Sequence, residues 1–440
     1  MTSHVIAKGA VAGITRRAAE RLRAGHLWVY RSELERLSPP ASEEDGPMEA
    51  HDSIPPGELV SVVDGRGIPL GTALYSACSE IALRMVSRRA GLTRAEYLSE
   101  LAERVRAALT LRAVLVPEAF PDILEGHPAA ETNAHRLIFS EADDLPGIVA
   151  DRYNEIVVLQ LLTQGTARED VRRVFIDVLA EQPWTGAIVE RPDARIRELE
   201  ELAPAPDGPI WLRQSTGPRA DENDHTPCTI FTINGLRFHF DTASGQKTGA
   251  FLDQRLNSAA AARMARGRAL DVCTYQGGFA LHLAQMCDRV TGVDASRAAL
   301  EVADRNLELN PNLPAKVDWI EADAFELLRD LADAGERFDT IVLDPPAFAK
   351  SKRAAEGAIR GYKELNLRTL KMLTAGGTLV TCSCSHHVGV EEFIGVVRSA
   401  AEDAGRRVQL IEMRGAAPDH PAVLTLPETS YLKCLICRVE

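Results

Sequence analysis

The second half of the chain alternates short apolar runs with longer segments whose apolar residues recur every three or four positions. The short runs are typical of buried strands, and the longer segments are typical of amphipathic helices. Parallel strands need crossover connections of this length. The pattern therefore predicts a doubly wound α/β sheet from about residue 229 onward. Its predicted strand cores are LDVC (270–273), RVTGVD (289–294), VDWIE (317–321), FDTIVL (338–343) and GGTLVTCS (376–383).

The first half has a different pattern. Short strand-like runs on either side of a turn at Asp64-Gly65 predict a small β-rich module. A helix is predicted over 93–115, because Thr93 and Glu96 have the spacing of a capping box and apolar residues follow at helical intervals. Residues 136–200 alternate strand-like and helix-like runs, which predicts a small α+β segment with one sheet.

Three stretches without apolar periodicity predict loops. Residues 38–57 are acidic and rich in proline, and they read as an insertion in the β-rich module. The APAPDGP run at 203–209 and the polar segment at 215–227 predict a boundary before the doubly wound sheet. No internal repeat and no coiled-coil heptad pattern is visible in the sequence.

Composition narrows the class of protein. The 440 residues are 45% hydrophobic and 26% charged, which excludes wholesale disorder and a disulfide-stapled miniprotein. The sequence has no run of eighteen apolar residues and no secretory signal near its first residue, so a cytoplasmic protein with no membrane partner is expected. The eight scattered cysteines suggest reduced thiols, and the lone C-x-x-C at Cys434 and Cys437 favours strand packing over a metal site.

The formal charge of −13 argues against a nucleic-acid partner, but its distribution is uneven. Seven basic residues oppose three acidic ones in residues 1–37, and the same ratio holds in 83–113. These two zones fit either an RNA-contact surface or solvated helix faces with excess arginine, and the charges alone leave both interpretations open.

A candidate cofactor site follows the strand 270–273. The loop carries Gly277 and Gly278 before a helix, where glycine lets the backbone approach a ligand. Asp294 ends the next strand, about twenty residues on, where a carboxylate can accept ribose hydroxyls. Asp323 follows the third strand and is placed to meet an adenine, while Asp271 makes the first strand end acidic. An acidic strand end repels a pyrophosphate but suits an ammonium-bearing sulfonium, which favours S-adenosylmethionine (SAM) over NAD. Each aspartate alone could equally be a helix N-cap.

Asp344, Pro345 and Pro346 end the fourth strand. The prolines stiffen this loop, so the Asp344 carboxylate can be presented to a planar substrate group. A plain turn after a buried strand is the alternative interpretation. Amino-group methyltransferases also use a D-P-P or N-P-P loop, so this motif does not decide which atom is methylated.

The choice of atom depends on Cys384, near the end of the strand 376–383. Carbon 5 of a pyrimidine is a poor nucleophile, but attack by a thiolate on carbon 6 makes carbon 5 reactive. Inert packing remains the alternative for Cys384, and we predict that Cys382 and Cys273 are core residues. His386 and His387 follow directly, where they could tune the thiol, accept the proton from carbon 5, or only stabilise the loop.

At these residues the chain resembles a known family, the bacterial 23S ribosomal-RNA cytosine-5 methyltransferases with an N-terminal PUA domain. The resemblance covers nearly the whole length. Its most specific motifs are GQKTGAFLDQRLN (245–257), DPPAFAKSK (344–352) and SCSHH (383–387), with further matches at EADDLPGIVADRYNEIVVLQLL (141–162), RGYKELN (360–366), DHP (419–421) and YLK (431–433).

The resemblance implies a PUA domain at 1–87, a linker helix and small α+β middle domain at 88–228, and a class I (Rossmann-like) SAM-dependent methyltransferase domain at 229–440. It also implies roles for individual residues. Cys384 would be the nucleophile and Asp344 would face the target cytosine. The residues that would close or line the SAM pocket are Gln246, Lys247, Thr248, Arg255, Asp271, Tyr275, Gly277, Asp294 and Asp323.

The implied partner is 23S rRNA or a large-subunit assembly intermediate, and a homodimer is an arrangement that the sequence leaves open. Ala347 stands where many RNA cytosine-5 methyltransferases have a second cysteine, so the base for the final elimination is unassigned. Two other functions remain as alternatives. One is a guanine N-methyltransferase in which Phe348 stacks on the base, and the other is a non-catalytic, SAM-binding rRNA assembly factor.

Overall fold

A computed structural model describes residues 9–40, 54–119, 131–191, 193–214, 227–242, 249–348 and 355–440. The described residues form an α/β protein with four sheets in chain order. Most of the acidic insertion predicted at 38–57 lies outside the described residues, as does most of the polar segment 215–227.

The first sheet has six strands in the order β2-β6-β5-β4-β1-β3. Its strands are β1 (Val11–Ile14), β2 (Trp28–Tyr30), β3 (Leu34–Ser38), β4 (Leu59–Val63), β5 (Pro69–Tyr75) and β6 (Ile81–Ser87). Helix α1 (Arg16–Arg23) buries Ala18, Ala19 and Leu22 in the core of this module. The β-rich module predicted from the sequence is therefore present, with its tight turn between β4 and β5.

Helix α2 (Arg94–Leu115) joins the first sheet to the second. The predicted capping box is confirmed, because Thr93 Oγ1 accepts from the Glu96 amide while the Glu96 carboxylate accepts from the Thr93 amide. The buried face of the helix carries Tyr97, Leu101 and Val105, which share one apolar cluster with residues of both sheets. This helix thus fixes the first module against the middle one.

The second sheet has the order β11-β10-β9-β8-β7. Its elements are β7 (Ala134–Phe139), β8 (Ile148–Tyr153), β9 (Ile156–Leu161), α3 (Glu169–Ala180), β10 (Ala187–Glu190), α4 (Ala194–Leu199) and β11 (Pro209–Leu212). The predicted α+β segment is confirmed, but it extends further than expected. Residues 209–212, which follow the predicted loop, pair antiparallel with β10. A hairpin of β12 (Cys228–Ile233) and β13 (Leu236–Asp241) follows.

The fourth sheet is the predicted doubly wound sheet, with seven strands in the order β16-β15-β14-β17-β18-β20-β19. Its strands are β14 (Arg268–Val272), β15 (Arg289–Asp294), β16 (Lys316–Glu321), β17 (Phe338–Leu343), β18 (Leu373–Ser383), β19 (Val408–Arg414) and β20 (Lys433–Val439). The first five are parallel, and β20 lies antiparallel between β18 and β19. The strand order reverses at β14, so a crevice forms where β14 and β17 end.

The helices of this unit are α5 (Arg255–Met264), α6 (Gly278–Leu283), α7 (Arg297–Glu308), α8 (Ala324–Asp333), α9 (Ala355–Met372) and α10 (Val390–Ala404). One face of the sheet packs on α9 and α10, and the other packs on α5 and α6. No helix in the described ranges is both long and apolar enough to span a bilayer. The eight cysteines are free thiols, and Cys434 and Cys437 are buried within β20.

Candidate active site at the ends of strands β14, β15, β17 and β18

A cavity opens beside the carboxyl ends of β14 and β17, between the fourth sheet and the β12–β13 hairpin. It encloses about 600 Å³, including its solvent-exposed mouth. Aromatic side chains form much of its wall, and the polar lining comes from three segments that the sequence analysis singled out. Residues of this lining used below are Gln254, Arg255, Cys273, Tyr275 and Asp344. The cavity is thus at the crevice where ligands bind in open α/β sheets.

The loop after β14 is held in a conformation that most residues avoid. Cys273 has φ +64° and Tyr275 has φ +52°, both in the left-handed region. The Thr274 amide donates to the carbonyl oxygen of Val293 at 2.9 Å, and the Tyr275 amide donates to Asp294 Oδ2 at 2.9 Å. Backbone strain of this kind persists only where surrounding contacts over-determine it, and it clusters at ligand sites.

Asp271 is fully buried beneath this loop. Its Oδ2 accepts hydrogen bonds from the Thr274 hydroxyl at 2.5 Å and from the Ala280 amide at 2.8 Å. Its Oδ1 is buried and has no hydrogen-bond partner among the described residues. Burial raises the pKa of Asp271 to about 7, against the opposing effect of its two donors. An unpaired carboxylate oxygen in this position favours a cationic neighbour.

The other two predicted cofactor aspartates are engaged with backbone amides. Asp294 lies at the end of β15, and its two oxygens accept from the amides of Tyr275 and Ser296. Asp323 is exposed and caps helix α8, where Oδ1 accepts from the amides of Phe325 and Glu326. In the structure, Asp323 is therefore a helix N-cap, which is the alternative that the sequence left open. Asp294 orders the loop that precedes α6.

Asp344 ends strand β17 and lines the cavity. Its Oδ1 accepts a 2.9 Å hydrogen bond from Gln254 Nε2. Gln254 is oriented in turn by Asn257, whose Nδ2 donates to Gln254 Oε1 at 2.7 Å. The DQRLN motif thus holds the Asp344 carboxylate in one orientation, which the stiff loop after Asp344 also favours.

Cys384 follows the last residue of β18 and is half-buried. Its Sγ lies 3.9 Å from the carbonyl oxygen of Pro345, the residue directly after Asp344. The structure therefore brings the sulfur against the D-P-P loop, and the catalytic role of Cys384 stays a prediction. The next residue is also fixed, because the hydroxyls of Ser385 and Tyr362 are 2.9 Å apart in a buried hydrogen bond.

Arg255 lines the cavity, and its role in the cofactor site stays a prediction. The residue is 3% exposed, and its guanidinium donates to Asp419 Oδ1 at 3.2 Å and to Glu118 at 3.3 Å, which links α5 to the DHP motif. Asp419 also accepts from the backbone amide of Arg136 in β7. The charged end of Arg255 therefore connects the helix α5 of the fourth sheet to β7 of the middle module through Asp419. The other predicted residues of that motif, Gln246, Lys247 and Thr248, lie outside the described residues.

The prediction that Cys273 is a core residue is wrong in part. Its side chain lines the cavity instead of being sealed, because the left-handed backbone at Cys273 turns the chain out of the strand. Burial and the carboxylates of the four aspartates nearby raise the pKa of its thiol far above the ordinary value. It is therefore an inert thiol. Cys382, by contrast, is fully buried as predicted.

Most arginines of the two basic zones are paired. Arg112 is fully buried and donates two hydrogen bonds to Asp143, and Arg94 donates two to Asp170. Those arginines are structural. A second cavity of about 1350 Å³, mouth included, lies between α1, β6 and α2, and Arg23, Arg88 and Arg104 line it. This cavity is where the basic residues of both zones meet.

Comparison with known proteins places this geometry in a family. The chain is 34% identical over 439 residues to the ribosomal RNA large subunit methyltransferase I of Citrobacter koseri, covering 99% of this chain and 98% of the relative. It is 36% identical over 437 residues to the enzyme of that name from Erwinia tasmaniensis, with the same coverage. The chain belongs to the ribosomal RNA large subunit methyltransferase I family.

Two domain families match separate parts of this family member. Residues 224–438 match the S-adenosylmethionine-dependent methyltransferase family, and residues 13–88 match a PUA-like domain. Two solved structures share the whole fold. A methyltransferase complexed with SAH has a TM-score of 0.75 at 16% identity, and it covers 97% of this chain and 99% of its own. A SAM-dependent methyltransferase from Streptococcus mutans has a TM-score of 0.74 with the same coverage. The expected PUA-like and Rossmann-like architecture is confirmed.

SAM is the cofactor of this family, and the residues present fit it. The buried Oδ1 of Asp271, which has no hydrogen-bond partner among the described residues, would be an acceptor for an ammonium group. Gly277 has φ +83°, a conformation that favours glycine, and a Cβ there would lie 3.1 Å from Trp319. The next residue, Gly278, lines the cavity with no side chain between its backbone and a ligand. No cluster of metal-ligating side chains is found in the described residues.

Two residues that contribute to this site were missed by the sequence analysis. Gln254, which orients Asp344, lies inside a motif that was recognised but not assigned to a role. Lys433, which lies beside Cys384, was noticed only as part of YLK. The motif could have pointed to Gln254, but nothing local to the chain indicates where Lys433 ends up.

Proposed function

We propose that this protein methylates carbon 5 of a cytosine in 23S rRNA, using SAM, through a covalent adduct with Cys384. The relatives are named as methyltransferases of large-subunit rRNA, which supports rRNA as the substrate. The observation that carries the choice of atom is the position of the Cys384 sulfur, 3.9 Å from the carbonyl oxygen of the residue after Asp344. A thiol in that position is required for carbon 5 and serves no purpose in amino-group methylation.

The proposed reaction has three steps at the base. The Cys384 thiolate adds to carbon 6 of cytosine, and the electron pair of the carbon 5–carbon 6 double bond makes carbon 5 nucleophilic. SAM, when bound, supplies the electrophilic methyl group that carbon 5 takes. A base then removes the proton from carbon 5, the double bond re-forms, and Cys384 leaves as the thiolate. Asp344, held by Gln254, is placed to orient the cytosine ring.

The target cytosine must be unpaired or flipped, because Cys384 and Asp344 cannot reach a base within a helix. The elements that hold the rest of the RNA are proposed to be the PUA domain at 1–87 and the start of α2. Exposed Arg88 lines the cavity there, together with Arg23 and Arg104, which pair with Asp64 and Glu100, and Arg88 is the residue proposed to contact a phosphate. The middle region 88–228 connects this surface to the methyltransferase domain at 229–440.

The guanine N-methyltransferase alternative needs Phe348 to be available for stacking. In the structure its ring packs against Tyr362 at a centroid distance of 4.8 Å and against Phe325 at 5.9 Å. Phe348 is therefore partly buried against the apolar cluster beneath the loop. This packing favours the cytosine reaction.

The test is methylation of 23S rRNA or large-subunit precursors, with the product identified by mass spectrometry of nucleosides. We expect 5-methylcytidine from the wild-type protein and from Cys228→Ala, whose cysteine is exposed on β12, and none from Cys384→Ala with SAM binding retained. RNA containing 5-fluorocytidine should trap the wild-type protein covalently, because fluorine cannot leave as the carbon 5 proton does.

Three outcomes would contradict the proposal. N-methylguanosine as the product would support the alternative enzyme. Retained 5-methylcytidine formation by Cys384→Ala would remove the covalent mechanism. The absence of methyl transfer to both naked rRNA and large-subunit precursors would point to a non-catalytic assembly factor. Base-resolution mapping of 5-methylcytosine in 23S rRNA from cells with and without the protein would then identify the modified nucleotide.

A further inference from the structure

Lys433 is a buried lysine at the start of β20, the strand that pairs with β18, and β18 ends one residue before Cys384. Strands β18 and β20 are antiparallel, and their register places Ser383 opposite Lys433. Lys433 is 4% exposed. Its Nζ donates 2.7 Å hydrogen bonds to the carbonyl oxygens of Ser385 and Tyr431. The ammonium is thus anchored to the residue directly after Cys384.

The described residues provide no carboxylate partner for this ammonium. Two buried arginines of the protein do have one, since Arg112 pairs with Asp143 and Arg255 pairs with Asp419. An ammonium has three protons, and the two carbonyl oxygens accept two of them. Burial lowers the pKa of Lys433 to about 8, and the negative charge of a Cys384 thiolate opposes that effect. A buried cation is costly unless an anion compensates it, which makes the neighbouring sulfur the natural counter-charge.

Several of the other described groups near Cys384 do not favour a thiolate. The carbonyl oxygen of Pro345 faces the sulfur, and the Asp344 carboxylate precedes it in the same loop. Tyr362 is a neutral hydroxyl on α9. His386 and His387 are exposed in the loop after Cys384. Partial desolvation and the positive charges of Lys433 and His387 lower the pKa of His386, which disfavours its imidazolium form. Lys433 is therefore the described cation best placed to oppose the negative groups.

We propose that Lys433 is a positioning residue whose ammonium stabilises the Cys384 thiolate and keeps it available for attack at neutral pH. This inference rests on the proposed function, since only a covalent mechanism needs the thiolate. It predicts a second consequence, because the effect must vanish when Lys433 itself loses its proton. A purely structural lysine would not produce that dependence on pH.

The test is the rate of alkylation of Cys384 by iodoacetamide from pH 6 to 10, measured on the Cys384 peptide by mass spectrometry. The variants are Lys433→Met and Lys433→Gln, which are neutral, and Lys433→Arg, which keeps the charge. In the neutral variants we expect alkylation at pH 7 to fall about tenfold, as for a shift of one unit in ionisation. Above pH 9 their rates should converge with the wild-type rate, while Lys433→Arg stays close to wild type throughout. Exposed Cys228 in the same samples is the internal reference.

The pH profile of methyl transfer provides the second readout. Lys433→Met should lose activity at pH 7 and regain most of it at pH 9. An unchanged alkylation profile in a neutral variant that still binds SAM would overturn the proposal, and so would a loss of activity that is equal at all pH values. Lys433→Gln retains an N–H donor for the two carbonyl oxygens. If Lys433→Met does not fold, the same measurements are made on Lys433→Gln. Failure of the covalent mechanism would be seen in a different experiment. Cys384→Ala would still form 5-methylcytidine, while the effect of Lys433 on the alkylation of Cys384 would be unchanged.

Discussion

Gln254 Nε2 donates a 2.9 Å hydrogen bond to Asp344 Oδ1, and this contact joins the first turn before helix α5 to the end of strand β17. Both residues line the same cavity. The amide is itself held by Asn257, which bridges Gln254 Oε1 and the carbonyl oxygen of Gly415. A carboxylate oriented in this way meets a planar base edge without having to be ordered at the moment of binding.

Replacing Gln254 by Leu should release the Asp344 carboxylate. A hydrogen bond to a charged group is worth about 1.5–3 kcal/mol, so we expect kcat for methyl transfer to fall about 10- to 100-fold. SAM affinity, measured by calorimetry, should change little. Ser258→Ala is the matched control, because its hydroxyl bonds to the Gln254 backbone from the same helix. Normal turnover in Gln254→Leu would show that the carboxylate needs no such support.

Asp271→Asn should separate cofactor binding from stability. Burial raises the pKa of Asp271 to about 7, so the folded protein holds a proton between about pH 4 and 7 that the unfolded chain has lost. The free energy of unfolding contributed by this group is therefore full below pH 4 and declines as the pH rises to 7. In thermal melts of the SAM-free protein, the stability of the variant should therefore depend less on pH between about 4 and 7 than that of the wild type. It should also bind SAM at least tenfold more weakly, since the negative charge near the ammonium is removed; an unchanged Kd would place the ammonium elsewhere.

Arg255→Met should affect stability more than SAM affinity. The change leaves Asp419 buried without its guanidinium partner, and breaking a buried ion pair costs about 3–5 kcal/mol. His420 and Arg255 help to hold the pKa of Asp419 well below its ordinary value, so their stabilisation is present above the unfolded pKa near 4 and lost as the pH falls further. Urea unfolding at pH 7 measures the effect. If the variant is stable but no longer binds SAM, we would conclude that Arg255 has the cofactor role implied by the family resemblance.

Arg88→Glu should weaken RNA binding without affecting the cofactor. Arg88 is exposed at the cavity between α1, β6 and α2. We expect a lower affinity for rRNA fragments and a salt dependence whose slope decreases by about 1, as for loss of one phosphate contact. Arg66→Glu is the matched control, because Arg66 is equally exposed but lies on the β4–β5 turn, away from that cavity. Equal losses in both variants would indicate general electrostatics instead of a docking surface.

Local rules predicted much of the fold. The capping box at Thr93, the turn at Asp64-Gly65 and the strand cores from residue 270 onward are all found in the structure. Each depends on the hydrophobic period or on a side chain that bonds within three residues of itself. The strand 209–212 was missed because it has only four residues and lies at the end of a proline-rich run. Its formation depends on pairing with residues of β10 that lie at least twenty residues earlier in the chain.

The sequence by itself determined that this is an α/β methyltransferase chain with an acidic, glycine-bearing loop, a D-P-P loop and a cysteine at a strand end. Each of these features depends only on residues that are close together in the sequence. Only the tertiary structure decided that Gln254 orients Asp344, that Arg255 pairs with Asp419, and that Lys433 lies beside Cys384. The physical reason is that burial and charge pairing depend on which distant strands become neighbours. Nothing near position 433 in the sequence distinguishes Lys433 from a surface lysine. The pairing of β20 with β18 makes it a buried cation near the Cys384 sulfur.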